Sequence, residues 1–135
     1  MSDLSPPWVH DLTFTEALRR TVRLHGHRDA VVFPRLPLRW SYAELEEQTR
    51  RYACALVALG VGPGDHVGIW STNWPQYIVA QFGTAMLGAV LVNVNPAYRV
   101  HELSYVLRQA DLSVILLTNS YKTSNYEAML AESVD

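Results

Sequence analysis

The segment Asn93-Val-Asn-Pro-Ala-Tyr-Arg99 follows an unbroken apolar run, Ala89-Val-Leu-Val92, and holds the most suggestive chemistry in the sequence. The run reads as a buried strand, and in doubly wound sheets the loops beyond the carboxyl ends of strands line the ligand crevice. Asn95, Pro96, Tyr98 and Arg99 fall in such a loop, which joins amide groups, a rigid bend and a cation. The same residues also suit a capped turn with a solvated arginine, and spacing alone favours that reading.

Other candidates are less specific. Gly60-x-Gly62-x-Gly64 looks like a phosphate-binding glycine loop, but such a loop must follow a strand and open a helix so that its N–H groups meet the anion. Here a helix precedes and a strand follows, so the glycines are expected to make a turn. No GxxxxGK[ST] pattern occurs, and Lys122 is the only lysine. His25-x-His27 with Asp29 suggests a metal, with His10 and His101 as recruits, yet the spacing is not that of a known ligand set and surface histidines are expected. Ser41 is explained by helix capping, and Cys54, between Ala53 and Ala55, by the core. Trp40, Trp70 and Trp74 read as core or interface aromatics, since they do not alternate regularly with Arg or Lys as a nucleic-acid stacking platform would. No catalytic residue and no metal ligand is assigned.

The elements that must position these residues are readable. Thr13 and Glu16 have capping-box spacing with Leu12 as staple, predicting a helix from Phe14 to His25 that Gly26 ends in the left-handed conformation. Ala30–Phe33 and Leu38–Trp40 form a short hairpin about Pro34 and Pro37. Ser41 and Glu44 make a second capping box, opening a helix whose buried stripe is Leu45, Thr49, Tyr52, Leu56 and Leu59 and whose end is Gly60. His66–Trp70 is a strand. Asn73 caps a helix that reaches Leu87 and stops at Gly88. Strand Ala89–Asn93, amphipathic helix Val100–Ala110, strand Ser113–Leu117, a loop from Asn119 to Thr123 and a helix near Tyr126–Ala131 complete the chain. From His66 onward the order is β-α-β-α-β-α, which implies an α/β fold: part of a doubly wound, mainly parallel sheet with flanking helices, preceded by the hairpin. No long linker divides the chain, so one structural unit is expected. The uncharged helix before Gly88 and the two apolar strands call for further covering protein, as in an incomplete portion of a larger domain.

Composition narrows the class further. The 135 residues suit one domain, and hydrophobic residues at 49% with charged residues at 18% describe a globular segment with little charged surface. A net charge of -2 argues against general nucleic-acid binding. The single Cys54 excludes an intrachain disulfide and an all-cysteine zinc site. The stretch from His66 to Tyr98 has no charged side chain but is interrupted by Asn73, Pro75, Gln76 and Gln81, so no membrane span is expected. Met1 to Trp8 lacks the basic end and apolar run of a signal peptide, which with the lone cysteine points to the cytoplasm.

Three motifs in order resemble the adenylate-forming, AMP-binding enzymes. Trp40-Ser-Tyr-Ala-Glu-Leu45 is similar to their first core motif, a [TS]-Y-x-E-L pattern opening a helix. Gly60-Val-Gly-Pro-Gly-Asp-His-Val-Gly-Ile69 resembles the turn and strand at the same relative place, and Leu87-Gly-Ala-Val-Leu-Val-Asn-Val-Asn-Pro96 the second core motif. Asn93 to Leu107 and Tyr121-Lys-Thr-Ser-Asn-Tyr126 are similar to the fatty-acyl-CoA synthetases, notably the medium-chain type. The resemblance covers residues 11 to 131 and implies carboxylate adenylation by ATP-Mg²⁺ followed by thioester formation with coenzyme A. It implies that residues 1–135 are the leading part of the large AMP-binding domain, with the phosphate loop and C-terminal domain absent. ATP, Mg²⁺, coenzyme A and a fatty acid then belong to the complete enzyme, and none is expected to bind this segment alone. The remainder of the full-length chain is the implied partner, and a homo-oligomer stays open. Arg99 is the one residue carried over, as a contact to the nucleotide phosphates of coenzyme A; Ala97 stands where one relative has the basic residue, two positions earlier.

Two readings of other classes remain: a stand-alone small α/β nucleotide- or flavin-binding or regulatory module, and an interaction domain that folds with a partner. Ser71-Thr72-Asn73 is a thin version of a flavin-binding loop, and Asp65 alone does not make a receiver-type acidic cluster.

Overall fold

The computed structural model describes residues 12–134. His10, named above as a possible metal recruit, lies outside them. The chain forms two compact units, Met1–Gln48 and Thr49–Asp135, where one was expected. The division falls inside a helix, so neither composition nor a linker marks it.

In the first unit, helix α1 (Phe14–His25) opens on the expected capping box: Glu16 N–H donates to Thr13 Oγ1, and Thr13 N–H donates to Glu16 Oε2. Gly26 stays right-handed at φ -52°, contrary to expectation. Its carbonyl accepts the N–H of Ala43, and a Cβ there would stand 2.7 Å from the Val22 carbonyl oxygen. Close backbone approach, not a left-handed turn, explains the glycine. Strands β1 (Asp29–Phe33) and β2 (Leu38–Ser41) pair antiparallel, and Arg39 reaches across to Asp29. Helix α2 (Tyr42–Ala58) begins with the second box, in which the Ser41 N–H and Oγ both donate to Glu44 Oε2.

These bonds make the boxes pH-dependent. Hydrogen bonds from the backbone and then the side chain of Ser41 hold the Glu44 carboxyl below its ordinary value of 4.5, and Thr13 does the same for Glu16. A carboxyl with a lowered folded value stabilises above its unfolded value, and that contribution is lost as pH falls through the folded one. Urea midpoints should therefore drop from about pH 6 to about pH 3, and the drop should shrink in Glu16→Gln/Glu44→Gln. An equal drop in that variant would show that the boxes do not carry it.

In the second unit, α2 buries Thr49, Ala53 and Leu56. Two expectations fail here. Leu59 lies past the helix end and is exposed, and Cys54 is exposed because it is rotated off the stripe that Ala53 occupies. Gly60, at φ 87°, turns the chain as expected.

Strands β3 (His66–Trp70), β4 (Val90–Val94) and β5 (Leu112–Leu117) form a parallel sheet in the order β4-β3-β5. Helix α3 (Pro75–Leu87) connects β3 to β4, and α4 (Val100–Ala110) carries the chain past β3 to β5. Alternate residues feed opposite faces. Val67, Val114 and Leu116 join Leu56 and Val61, while Trp70, Ile115 and Leu117 join Leu103 and Met129 of α4 and α5 (Tyr126–Val134). This is the expected doubly wound, parallel arrangement.

The central strand, β3, is the one enclosed on both faces. Within the described residues β4 is an edge strand with Val90 and Asn93 exposed, and β5 is half-buried apart from its exposed Ser113, which leaves on these apolar strands the uncovered surface expected of an incomplete portion of a larger domain. An apolar run identifies a strand but not its rank in the sheet. α3 presents only Gln76 and Gln81 as exposed, consistent with its uncharged sequence. Its Gly83 permits close packing, since a Cβ would stand 2.3 Å from Tyr52 Cδ1. Asn73 does not cap α3. The N-cap is Trp74, with no side-chain cap bond, and Pro75 at the first position has no N–H to satisfy.

Candidate functional site at the carboxyl ends of the strands

The glycine-rich segment is a turn, as expected. The Gly62 N–H donates to Asp65 Oδ2 at 2.7 Å and the Gly64 N–H to the Gly88 carbonyl at 2.9 Å, so neither points at an anion. His25, His27 and Asp29 are exposed, and Asp29 is engaged by Arg39. His66 anchors the amino end of β3, its Nδ1 2.6 Å from the Ala110 carbonyl oxygen. Among the described residues, no three His, Cys, Asp or Glu side chains converge as metal ligands.

At the opposite end of the sheet, β3, β4 and β5 deliver three loops to one rim. The loop after β4 is internally braced: the Ala97 N–H donates to Asn95 Oδ1 at 2.9 Å and the Tyr98 N–H to the Asn95 carbonyl at 3.0 Å. Arg99 follows as the N-cap of α4, its N–H bonded to Glu102 Oε2 at 3.1 Å. Backbone hydrogen bonds hold the Glu102 carboxyl below its ordinary value, with the charges of His101 and Arg99 adding to that.

The loop after β5 is not irregular, as expected, but a small hairpin, β6 (Ser120–Tyr121) and β7 (Ser124–Asn125). Lys122 takes the left-handed conformation its turn requires, at φ 54°. The hairpin sets Ser124 Oγ 2.5 Å from Arg99 Nη1, which orients the exposed guanidinium and leaves most of its N–H groups free to donate.

Two buried aromatics underpin the rim. Trp70 and Tyr126 stack with centroids 3.8 Å apart and planes 9° from parallel, both fully buried. Trp70 Nε1 donates to the Asn95 carbonyl at 3.0 Å, and the Tyr126 hydroxyl to the Pro96 carbonyl at 2.6 Å. Burial, with Tyr121 beside it, pushes the Tyr126 phenol up, so it stays a donor at neutral pH. Sequence reasoning placed Trp70 in the core or at an interface; it missed Tyr126 and Ser124, whose partners are 25 to 30 positions away. Trp74, expected in the core or at an interface, is 43% exposed.

Two openings adjoin the rim. One of about 270 Å³ is lined by Thr72, Asn73, Asn95, Pro96, Ala97 and Tyr121. The other, about 500 Å³ and mainly apolar, lies at the carboxyl ends of β3 and β5, between Tyr52, Trp74, Tyr77 and Leu116–Asn119.

A doubly wound parallel sheet with braced loops at its carboxyl edge defines the class: an α/β unit of the kind whose ligand crevices lie at that edge. The chain belongs to the AMP-binding enzyme family, which matches residues 18–135. A protein of Bacillus subtilis (strain 168) named as an acyl-CoA synthetase is 40% identical over 84% of this chain and 21% of its own length. The human mitochondrial medium-chain acyl-CoA ligase is 32% identical over 92% of this chain and 20% of its own. Among solved structures, a long-chain-fatty-acid CoA ligase from Rhodopseudomonas palustris superposes with a TM-score of 0.81 at 28% identity, covering 93% of this chain and 30% of that one. The N-terminal domain of a Mycobacterium tuberculosis protein, FACL13, gives 0.76 at 28% identity, covering 78% and 26%. The chain thus spans about a fifth of the length of the curated relatives it matches.

Proposed function

We propose that residues 1–135 are the leading part of the large domain of an ATP-dependent fatty-acid–CoA ligase. The observation that carries this is the family match over residues 18–135, joined to relatives named as acyl-CoA ligases. In such a reaction a carboxylate oxygen attacks the α-phosphorus of ATP and pyrophosphate leaves; the thiolate of coenzyme A then attacks the acyl carbonyl and AMP leaves. This segment supplies the sheet and a rim of the coenzyme A entrance, where Arg99 donates to a nucleotide phosphate. In this reading ATP and Mg²⁺ are held by the phosphate loop and the C-terminal domain of the complete enzyme.

No helix among the described residues is long and apolar enough to cross a membrane. A reducing compartment suits the single exposed Cys54 and a cytoplasmic site, although relatives are named as mitochondrial.

Calorimetric titration of ATP-Mg²⁺ into the purified chain tests the division of labour. No saturable binding in the micromolar range is expected. Micromolar binding would overturn the reading and favour a stand-alone nucleotide module centred on the 500 Å³ opening.

A further inference from the structure

We infer that Tyr126 is a positioning residue for the coenzyme A step, acting through the Asn95–Arg99 loop rather than on substrate. The inference rests on the proposed role of Arg99 and deepens it. Three ties converge on this loop from segments distant in sequence. Trp70, at the end of the central strand, holds the Asn95 carbonyl; Tyr126, at the start of α5, holds the Pro96 carbonyl; and Ser124, two residues before Tyr126, holds the Arg99 guanidinium. The Tyr126 backbone N–H donates to the Asn119 carbonyl at 3.0 Å, so the residue is itself fixed to the segment just after β5.

The arrangement is stiff because its two aromatic members are fully buried and stacked on each other. The Pro96 carbonyl cannot turn without losing a 2.6 Å bond to a buried hydroxyl, and Asn95 cannot turn without releasing Trp70, Ala97 and Tyr98 together. A loop held this way presents Arg99 in one place before ligand arrives, and such preorganisation lowers the ordering cost of binding. The arrangement also makes the β6–β7 hairpin functional: its length sets Ser124 and Tyr126 on the same loop.

The test is Tyr126→Phe in the complete ligase, since phenylalanine keeps the stack and removes only the hydroxyl. The KM for coenzyme A should rise about three- to tenfold, the range expected for one lost hydrogen bond. The KM values for ATP and fatty acid and the rate of acyl-AMP formation should not change. In an Arg99→Ala background the effect of Tyr126→Phe should vanish, because a residue that acts through Arg99 has nothing left to position. Amide exchange at Ala97 and Tyr98 of the present chain should accelerate in Tyr126→Phe, a reading that needs no catalysis. An unchanged coenzyme A dependence in Tyr126→Phe, with Arg99→Ala still impaired, would overturn the positioning role and leave the proposed function standing. Additive effects in the double variant would overturn it as well. No effect of either substitution would overturn both.

Discussion

Trp70→Ala is expected to destabilise the second unit by about 3–5 kcal/mol, the range for deleting a large buried aromatic. Trp70 is fully buried at the end of the strand that the sheet encloses on both faces, so little around it can collapse into the space. The substitution also removes the stack on Tyr126 and one of the two donors to the Asn95 carbonyl, leaving only the Tyr98 N–H. Folded domains carry roughly 5–15 kcal/mol in total, so the loss is a large share of the whole. Urea denaturation of the two chains should show it as a lowered midpoint at unchanged slope. Trp70→Phe, which keeps a stacking ring and loses the N–H, should fall between them. A loss below about 1 kcal/mol for the alanine variant, the ordinary size of a point substitution, would contradict this account of the core.

Local chemistry was legible in the sequence and tertiary rank was not. The capping boxes at Thr13 and Ser41 and the stop at Gly88 are written into neighbouring residues, and the structure reproduces them. The parallel α/β order followed from the same alternation of apolar runs and helices. The failures need knowledge of what lies across space. Cys54 is apolar enough to be buried, yet it sits just off the buried face of α2. The β6–β7 hairpin is two residues a side, too short for alternation to show. At the rim, the Asn-Pro turn announced the loop, and its position after an apolar strand announced which end of the sheet it serves. The supports from Trp70 and Tyr126 left no local signal, because each depends on a partner 25 or 30 positions away.

Arg99 sits exposed at the carboxyl edge with its guanidinium tied to Ser124 and N–H groups to spare. A charge-assisted bond to a phosphate contributes about 1.5–3 kcal/mol. Removing it should weaken coenzyme A alone, because ATP and fatty acid are held elsewhere in the proposed enzyme. The decisive measurement is therefore the pair of half-reactions in the complete ligase carrying Arg99→Ala. Acyl-AMP formation, followed by pyrophosphate exchange, should keep its wild-type rate, while the KM for coenzyme A should rise by about ten- to a hundredfold, as that energy implies. An unchanged KM for coenzyme A, or an equal loss in both half-reactions, would contradict the claim that this rim receives coenzyme A.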